Sequence, residues 1–315
     1  MKILANDGID PIGKHILEQA GFTVDTNHIP QAELAEKLQQ YDAITVRSAT
    51  KVRKELIDIC PNLKVIGRGG VGMDNIDVEY ARSKGIAVVN TPAASSHSVA
   101  ELVFAHLLSG VRFLQDANRK MPVDGHTNFA ALKKSYAAGV ELKGKTLGVV
   151  GFGRIGRATA QIALGLGMHV IYYDLFQGPS SLSLTFSGDV TVDIPVKQVE
   201  LEELFKTSDF ISLHVPFLDK PVIGKQEFEL LKDGVGLVNA SRGGVIDELE
   251  LINALNSGKV AFAGLDVFDN EPTPRVDLLK HPKVSLTPHI GAATNEAQLR
   301  IGEELAQLLI ENLKK

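Results

Sequence analysis

The sequence holds a single cysteine, Cys60, no apolar run of bilayer-spanning length, and no basic block to offset a net charge of −5. Each absence removes a class of protein. One thiol excludes an internal disulfide framework and a cysteine-based metal cluster, which leaves packing as the expected role of Cys60. Without about 20 consecutive apolar residues, no transmembrane helix and no membrane partner are expected. The first residues, Met1-Lys2-Ile3-Leu4-Ala5-Asn6-Asp7, reach an acid too soon for a signal peptide, so a cytoplasmic protein is expected. Lysines scattered among acids offer no face for nucleic acid. The nine histidines show no paired spacing such as H-E-x-x-H, so no metal is expected either.

What the chain does have is 315 residues with 44% hydrophobic content, enough for two cores. Short apolar runs alternate with helical stretches, the pattern of parallel sheets with crossover helices. Strands of a first sheet are predicted at 2–5, 22–25, 43–46, 64–66 and 87–89, with a helix at 31–40. A second sheet is predicted from 146–150, 169–173, 210–214, 236–239, 261–265 and 283–286. Ser98-Val99-Ala100-Glu101 fits a capping box, and the amphipathic stretch 98–120 behind it predicts one long helix joining the two. A further long helix is expected at 295–314, after the last strand. With no strand left to cross to, it is placed back on the first sheet. That makes a discontinuous domain of residues 1–97 plus 291–315 around an inserted domain of 98–290. A plain split near residue 120 is the alternative. Residues 121–140 read as an irregular excursion. Residues 177–187, rich in Gly, Ser and Pro, read as a surface loop, and the stretch around 180–190 matches no known pattern.

Gly151-Phe152-Gly153-Arg154-Ile155-Gly156 follows the run 146–150 and opens a helical stretch, and Asp174 closes the next run. The first glycine permits a tight turn, the second lets backbone approach a pyrophosphate, and the third packs helix on strand with the helix N-terminus facing the phosphates. Asp174 then supplies a carboxylate for ribose hydroxyls. A second G-x-G-x-x-G, Gly67-Arg68-Gly69-Gly70-Val71-Gly72, also follows a strand, but the next run ends in Asn90-Thr91-Pro92 with no acid. The nucleotide therefore belongs at Gly151. A 2′-phosphate would be repelled by Asp174, so the expected cofactor is NAD rather than NADP.

Ligands of open α/β sheets lie beyond the carboxyl ends of the strands. Asn239-Ala240-Ser241-Arg242-Gly243-Gly244 puts a permanent cation there, able to clamp a carboxylate through two hydrogen bonds. Leu265-Asp266-Val267-Phe268-Asp269-Asn270-Glu271-Pro272 ends in an acid, and Thr287-Pro288-His289-Ile290-Gly291 presents the best placed histidine. A histidine paired with a carboxylate is suited to proton exchange with a hydroxyl near neutral pH. Arginine, acid, histidine and nicotinamide together make the kit for hydride transfer at a hydroxyl-bearing carbon.

These segments resemble the D-isomer-specific 2-hydroxyacid dehydrogenases over nearly the whole chain: the fingerprint with Asp174, NASRGGVID from Asn239, LDVFDNEP from Leu265 and TPHIGAAT from Thr287. The resemblance implies an α/β protein of two doubly wound parallel-sheet domains, a Rossmann NAD-binding domain inserted in a flavodoxin-like substrate domain, and a homodimer built on the NAD-binding domains. It places the catalytic roles on Arg242, Glu271 and His289. The pyrophosphate contacts fall on Arg154 and Ile155 beside Gly151, Gly153 and Gly156, and the ribose acid is Asp174. Further cofactor contacts fall on His214, Val215, Pro216, Ala240, Ser241, Asp266, Gly291 and Ala292. The loops Val46-Arg47-Ser48-Ala49-Thr50 and Gly67 to Asn75 are similar to those of family members that take a phosphorylated 2-hydroxy acid. Arg47, Ser48, Arg68 and Gly70 are thus expected to bind a small anionic substrate, helped by Lys134 or Lys133 from the neighbouring subunit. Pairing of Arg47 or Arg68 with Asp74 or Asp77 is the alternative. Long forms of the family continue into a C-terminal regulatory domain, and regulation through one is not expected in a chain ending at Lys315. A reductase of glyoxylate, hydroxypyruvate or another small keto acid would use the same triad. A binding protein that only senses NAD would not need it.

Overall fold

A computed structural model describes residues 1–314. They form two compact units: Met1–Ser98 together with the chain from Ala292 onward, and Val99–Gly291.

The first unit is built on five parallel strands, β1 (Lys2–Ala5), β2 (Thr23–Asp25), β3 (Ala43–Val46), β4 (Val65–Arg68) and β5 (Ala87–Asn90), in the order β2-β1-β3-β4-β5. This is the flavodoxin-like order, and its direction reverses between β1 and β3. The helix Asn295–Leu313 opens on the Thr294 side chain, which accepts from Ala297 N at 3.2 Å. It lays Leu305, Ala306, Leu309 and Leu313 into the core with Ile3, Ala5 and Val65. Close approach is made possible by glycine: a β-carbon on Gly13, in the helix Pro11–Gln19, would lie 2.6 Å from the Gly302 carbonyl oxygen. The second glycine-rich motif belongs to the same packing. β-Carbons on Gly67 and Gly69 would meet Leu305 and Ile301 at 2.9 and 3.2 Å. The stretch predicted as one helix at 31–40 is broken: 3₁₀ turns Gln31–Glu33 and Leu38–Gln40 flank a single α-turn, Leu34–Lys37, which is enough to bury Leu34 and Leu38.

The second unit holds β6 (Thr146–Val150), β7 (His169–Tyr173), β8 (Ser181–Phe186), β9 (Val190–Pro195), β10 (Lys197–Gln198), β11 (Phe210–Leu213), β12 (Val235–Asn239), β13 (Val260–Leu265) and β14 (Val284–Leu286). Seven of these form a parallel sheet, β10-β7-β6-β11-β12-β13-β14, whose direction reverses between β6 and β11. That is the Rossmann arrangement. Helices cover both faces: Leu204, Phe205, Leu251 and Leu255 line one, and Val103, Leu107, Ala160 and Ala163 the other.

Three local expectations are corrected. The segment 98–120 is two helices, Ser96–Val111 and Leu114–Asp124. Ser98 lies inside the first and does not cap it, and the break is at Phe113, whose φ of 58° turns its ring onto Tyr136 with centroids 5.8 Å apart. The excursion 121–140 contains the end of the second helix and a third, Phe129–Ser135, anchored by buried Leu132. Within the supposed surface loop at 177–187, Ser181–Phe186 is the first strand of an antiparallel hairpin of β8 and β9. Its Ser-Leu-Ser-Leu alternation buries Leu182 and Leu184, and Gly188 and Asp189 turn it with φ of 85° and 59°. Gln161 of the helix Arg154–Gly165 donates to Ser183 O at 2.9 Å and holds the hairpin against the sheet.

Candidate active site

At the reversal between β6 and β11, Gly151 has φ 90° and lies against the next strand: a β-carbon would sit 2.6 Å from His214 O. Gly156 packs on the turn, where a β-carbon would be 2.1 Å from Gly151 O. Gly153 is different, since a β-carbon there would meet nothing within 4 Å. It faces open space at the N-terminus of the helix Arg154–Gly165, which has no side-chain cap, with exposed Arg154 and half-buried Ile155 next in the chain. Uncapped N–H groups beneath a bare glycine are what a pyrophosphate needs. Asp174, the expected ribose acid, accepts from Phe152 N at 2.6 Å and Phe176 N at 3.0 Å, which ties the glycine turn to the end of β7. These residues fit the diphosphate and ribose of NAD. His214 donates its backbone N–H to Val150 O at 2.7 Å, and its Nε2 lies 2.9 Å from Ser212 Oγ. Burial pushes its imidazole down to about 3, which keeps it neutral. Val215 and Pro216 follow it toward solvent.

The three candidate catalytic residues stand on loops that follow β12, β13 and β14. Asn239, buried at the end of β12, accepts from Ser241 N and Oγ at 3.0 and 2.7 Å and donates to Arg242 O at 2.8 Å. This fixes the turn Ala240-Ser241-Arg242. The following Gly243 fits under the next loop, because a β-carbon would be 2.1 Å from Phe268 O. Glu271 accepts from Phe268 N at 2.9 Å, and Asp269 N donates to the buried Glu248 carboxylate at 2.8 Å. His289 Nδ1 lies 2.8 Å from Glu271 Oε2. Burial raises the Glu271 carboxyl, but hydrogen bonds from His289 and Phe268 N and the charge of Arg242 outweigh it and hold the group below the ordinary glutamate value. The pair is partly open to solvent, with side chains 40% and 35% exposed. Beside it is a hollow of about 400 Å³ walled by Phe268, Leu279, Leu286 and prolines 272, 274 and 288.

His289 has a left-handed backbone, φ 56°, uncommon for a side chain with a β-carbon. Asp266 holds it from both sides. Its carboxylate accepts from Thr287 Oγ1 at 2.6 Å before the histidine, and from Ile290 N and Gly291 N at 2.8 Å after it. From the sequence Asp266 is expected only as a cofactor contact; its grip on the His289 turn comes from the fold. Asn239 and Glu248 are not among the site residues expected from the sequence. Asn239 stands at a strand end before Ala240-Ser241, the setting of a side-chain turn, but nothing in the sequence points Glu248 at Asp269.

The remaining candidates belong to other elements of the chain. In the first unit, Asp7 accepts from Arg47 N and Thr50 N at 2.7 and 3.1 Å, and Asn75 donates to Arg47 O at 2.8 Å, so the loop 47–50 is pinned with Ser48 exposed. Arg47 lines a hollow of about 260 Å³ at the reversal of that sheet, with Asp7, Asp10 and Gly69. Arg68 folds its guanidinium over Gly70, where a β-carbon would be 1.6 Å from Nη1. Asp77, an expected partner of these arginines, is paired with Arg53 at 2.9 Å. Lys134 is exposed on the helix Phe129–Ser135 of the second unit, and Ala292 begins the return to the first unit.

Among the described residues no cluster of three or more His, Cys, Asp or Glu is arranged for a metal ion, and no helix is long and apolar enough to cross a membrane.

A family model for the D-isomer specific 2-hydroxyacid dehydrogenase, NAD binding domain, matches residues 104–291. Over 318 positions the chain is 42% identical to the hydroxypyruvate reductase of Thermotoga maritima, covering 99% of this chain and 98% of that protein. It is 41% identical to the D-3-phosphoglycerate dehydrogenase of Methanocaldococcus jannaschii, covering all of this chain but 58% of that protein's length. Among solved structures, the D-lactate dehydrogenase of Aquifex aeolicus complexed with NAD and lactic acid has 30% identity and a TM-score of 0.78, covering 100% of this chain and 96% of that one. The TT0316 protein of Thermus thermophilus has 31% identity and a TM-score of 0.83, covering 100% and 97%. The chain belongs to the D-isomer-specific 2-hydroxyacid dehydrogenases. It is an oxidoreductase of hydroxy acids, and its cofactor is NAD.

Proposed function

We propose that the protein interconverts D-3-phosphoglycerate and 3-phosphohydroxypyruvate, the opening step of L-serine biosynthesis, as a homodimer built on the NAD-binding units. The observation that carries the chemistry is the His289–Glu271 pair, 2.8 Å apart in a unit that also positions Arg242. Arg242 takes the substrate carboxylate through its guanidinium fork. His289, its Nδ1 engaged by Glu271, presents Nε2 to the substrate hydroxyl and removes its proton in oxidation, returning it in reduction. NAD, when bound, would supply the hydride acceptor for the hydroxyl-bearing carbon. Glu271 stabilises the imidazolium that forms. Arg47 and Arg68, with Ser48 and Gly70, take the distal phosphate, and Lys134 of the neighbouring subunit assists.

A second reading, a general D-2-hydroxyacid dehydrogenase such as a hydroxypyruvate or glyoxylate reductase, is favoured by the Thermotoga relative, which matches over 98% of its length. It needs the triad but not the distal arginines. Arg242, Glu271 and His289 present together weigh against a protein that only senses NAD.

The experiment is NADH oxidation with 3-phosphohydroxypyruvate beside hydroxypyruvate, repeated for Arg47→Ala and Arg68→Ala. The proposal expects a strong preference for the phosphorylated substrate that both variants lose. Equal or better use of hydroxypyruvate transfers the assignment to the second reading.

A further inference from the structure

His106 sits on the helix Ser96–Val111, only 2% exposed, and neither the fingerprint nor the triad uses it. Gly264 makes room for it: a β-carbon there would lie 2.5 Å from His106 Cβ. Both ring nitrogens are engaged, Nδ1 with Ser285 Oγ and Nε2 with Thr287 Oγ1, each at 2.9 Å. Thr287 Oγ1 in turn donates to Asp266 Oδ1 at 2.6 Å.

The protons can be counted. Thr287 has one hydroxyl proton, and it is given to Asp266, so Thr287 Oγ1 receives the His106 Nε2–H. A neutral imidazole has only that one N–H, so Nδ1 accepts from Ser285 Oγ. Every donor meets an acceptor with the ring uncharged. Burial favours the same state, pushing His106 below the usual histidine value against the opposing charge of Asp266.

We propose that His106 is a positioning residue for His289, acting through Thr287 and Asp266 to fix the backbone that presents the imidazole. Asp266 grips the residues on both sides of His289, and His106 orients the one side-chain donor in that grip. If Thr287 turns away, the carboxylate is free to rotate off Ile290 N and Gly291 N, and His289 loses the left-handed turn that aims it. The inference rests on His289 being the group that exchanges the substrate proton, and its test lets the two fail separately.

The first arm is ¹⁵N NMR of the histidine-labelled whole protein. His106 is expected to stay neutral with its proton on Nε2 throughout the assay range; a proton on Nδ1, or a charged ring, overturns the relay whatever His289 does. The second arm is kinetic. His106→Leu is expected to lower kcat about tenfold with a clearly smaller rise in the Kd for NADH, since Asp266 and Gly291 are also candidate cofactor contacts. His106→Gln, whose amide can donate to Thr287, recovers most of the loss. Thr287→Val combined with His106→Leu is no worse than Thr287→Val alone, and His106→Leu has no further effect in His289→Ala. An unchanged kcat in His106→Leu beside an inactive His289→Ala overturns the relay. So does a loss of kcat matched by an equal loss of NADH affinity, which marks packing damage. Normal turnover in His289→Ala sinks the catalytic reading instead, with the NMR result still deciding the hydrogen-bond chain.

Discussion

Gly243 lies directly beneath the carbonyl of Phe268, so close that a β-carbon would fall 2.1 Å from the oxygen. The two residues belong to the loops that carry Arg242 and Glu271. A methyl group at this point must push those loops apart, and catalysis is sensitive to displacements of an ångström. Gly243→Ala is expected to lower kcat/KM by about a hundredfold while the Kd for NADH changes little, as read by steady-state kinetics and NADH fluorescence. An active variant would mean that the spacing of the two loops is not critical.

Two glycines of the fingerprint should part company. Gly153→Ala meets no protein atom, so its Tm should match the wild type while NADH binding weakens as the methyl intrudes on the pyrophosphate. Gly156→Ala, 2.1 Å from Gly151 O, should lower the Tm by several degrees. Thermal melts and binding titrations on both variants decide whether the open glycine faces the cofactor.

His289→Ala should lower turnover by about 10²-fold or more with NADH affinity near normal, as expected for a general acid and base. Glu271→Gln should lower turnover by a smaller factor. It keeps an acceptor for Phe268 N but removes the charge that stabilises the imidazolium. Stopped-flow measurement of NADH oxidation reads both; a normal rate in His289→Ala removes the residue from the mechanism.

Asp174, the expected ribose acid, also serves the fold through its bond to Phe152 N. Asp174→Asn keeps an acceptor, so stability should hold while the preference for NAD over NADP narrows. Asp174→Ala should narrow the preference in the same way and cost about 1 kcal/mol in urea unfolding. If the wild type already uses NADP as well as NAD, Asp174 does not set the choice.

Buried histidines predict an acid limb of stability. His106, His214 and His281 all lie below the usual histidine value of 6.5 in the folded chain, with burial as the leading cause. Below that pH the unfolded chain binds protons that the folded one refuses, so stability is complete above 6.5 and falls as pH drops toward the folded values. For His214 the decline continues to about 3. Each such group adds a slope of up to about 1.4 kcal/mol per pH unit. Urea unfolding between pH 7 and 5 should show a shallower decline in His106→Leu than in wild type, and parallel lines would reject its neutral burial.

The strands were legible because each is a run of apolar residues, and 2–5, 43–46, 146–150 and 169–173 match observed strands at both ends. β10, two residues long, carries no such signal. The hairpin was hidden by composition: serine and glycine suggested a loop, while the alternation that buries Leu182 and Leu184 pointed to a strand. The break at Phe113 depends on a ring 23 positions away, at Tyr136, and no local propensity encodes it. In the candidate site, Arg242, Glu271 and His289 stand out in the sequence because each follows a strand at its carboxyl end. Among the residues around them, Glu248 and His106 carry no such signal. Glu248 acts on a backbone N–H 21 positions on and His106 on a hydroxyl 181 positions on, separations that only the folded sheet closes.

The helix Asn295–Leu313 supplies Leu305, Ala306, Leu309 and Leu313 to a core whose strands are made from the first residues of the chain. On a ribosome adding roughly 5–20 residues each second, the opening strands wait for this part of their cover until more than 200 further residues have been made, a delay of about 10–40 s. Val99–Gly291 is synthesised whole within that interval and has no missing segment to wait for. The second unit is therefore expected to finish folding before the first, although part of the first is made earlier. Ribosome-stalled chains ending near residue 291 should have a protease-resistant second unit and a protease-sensitive first one.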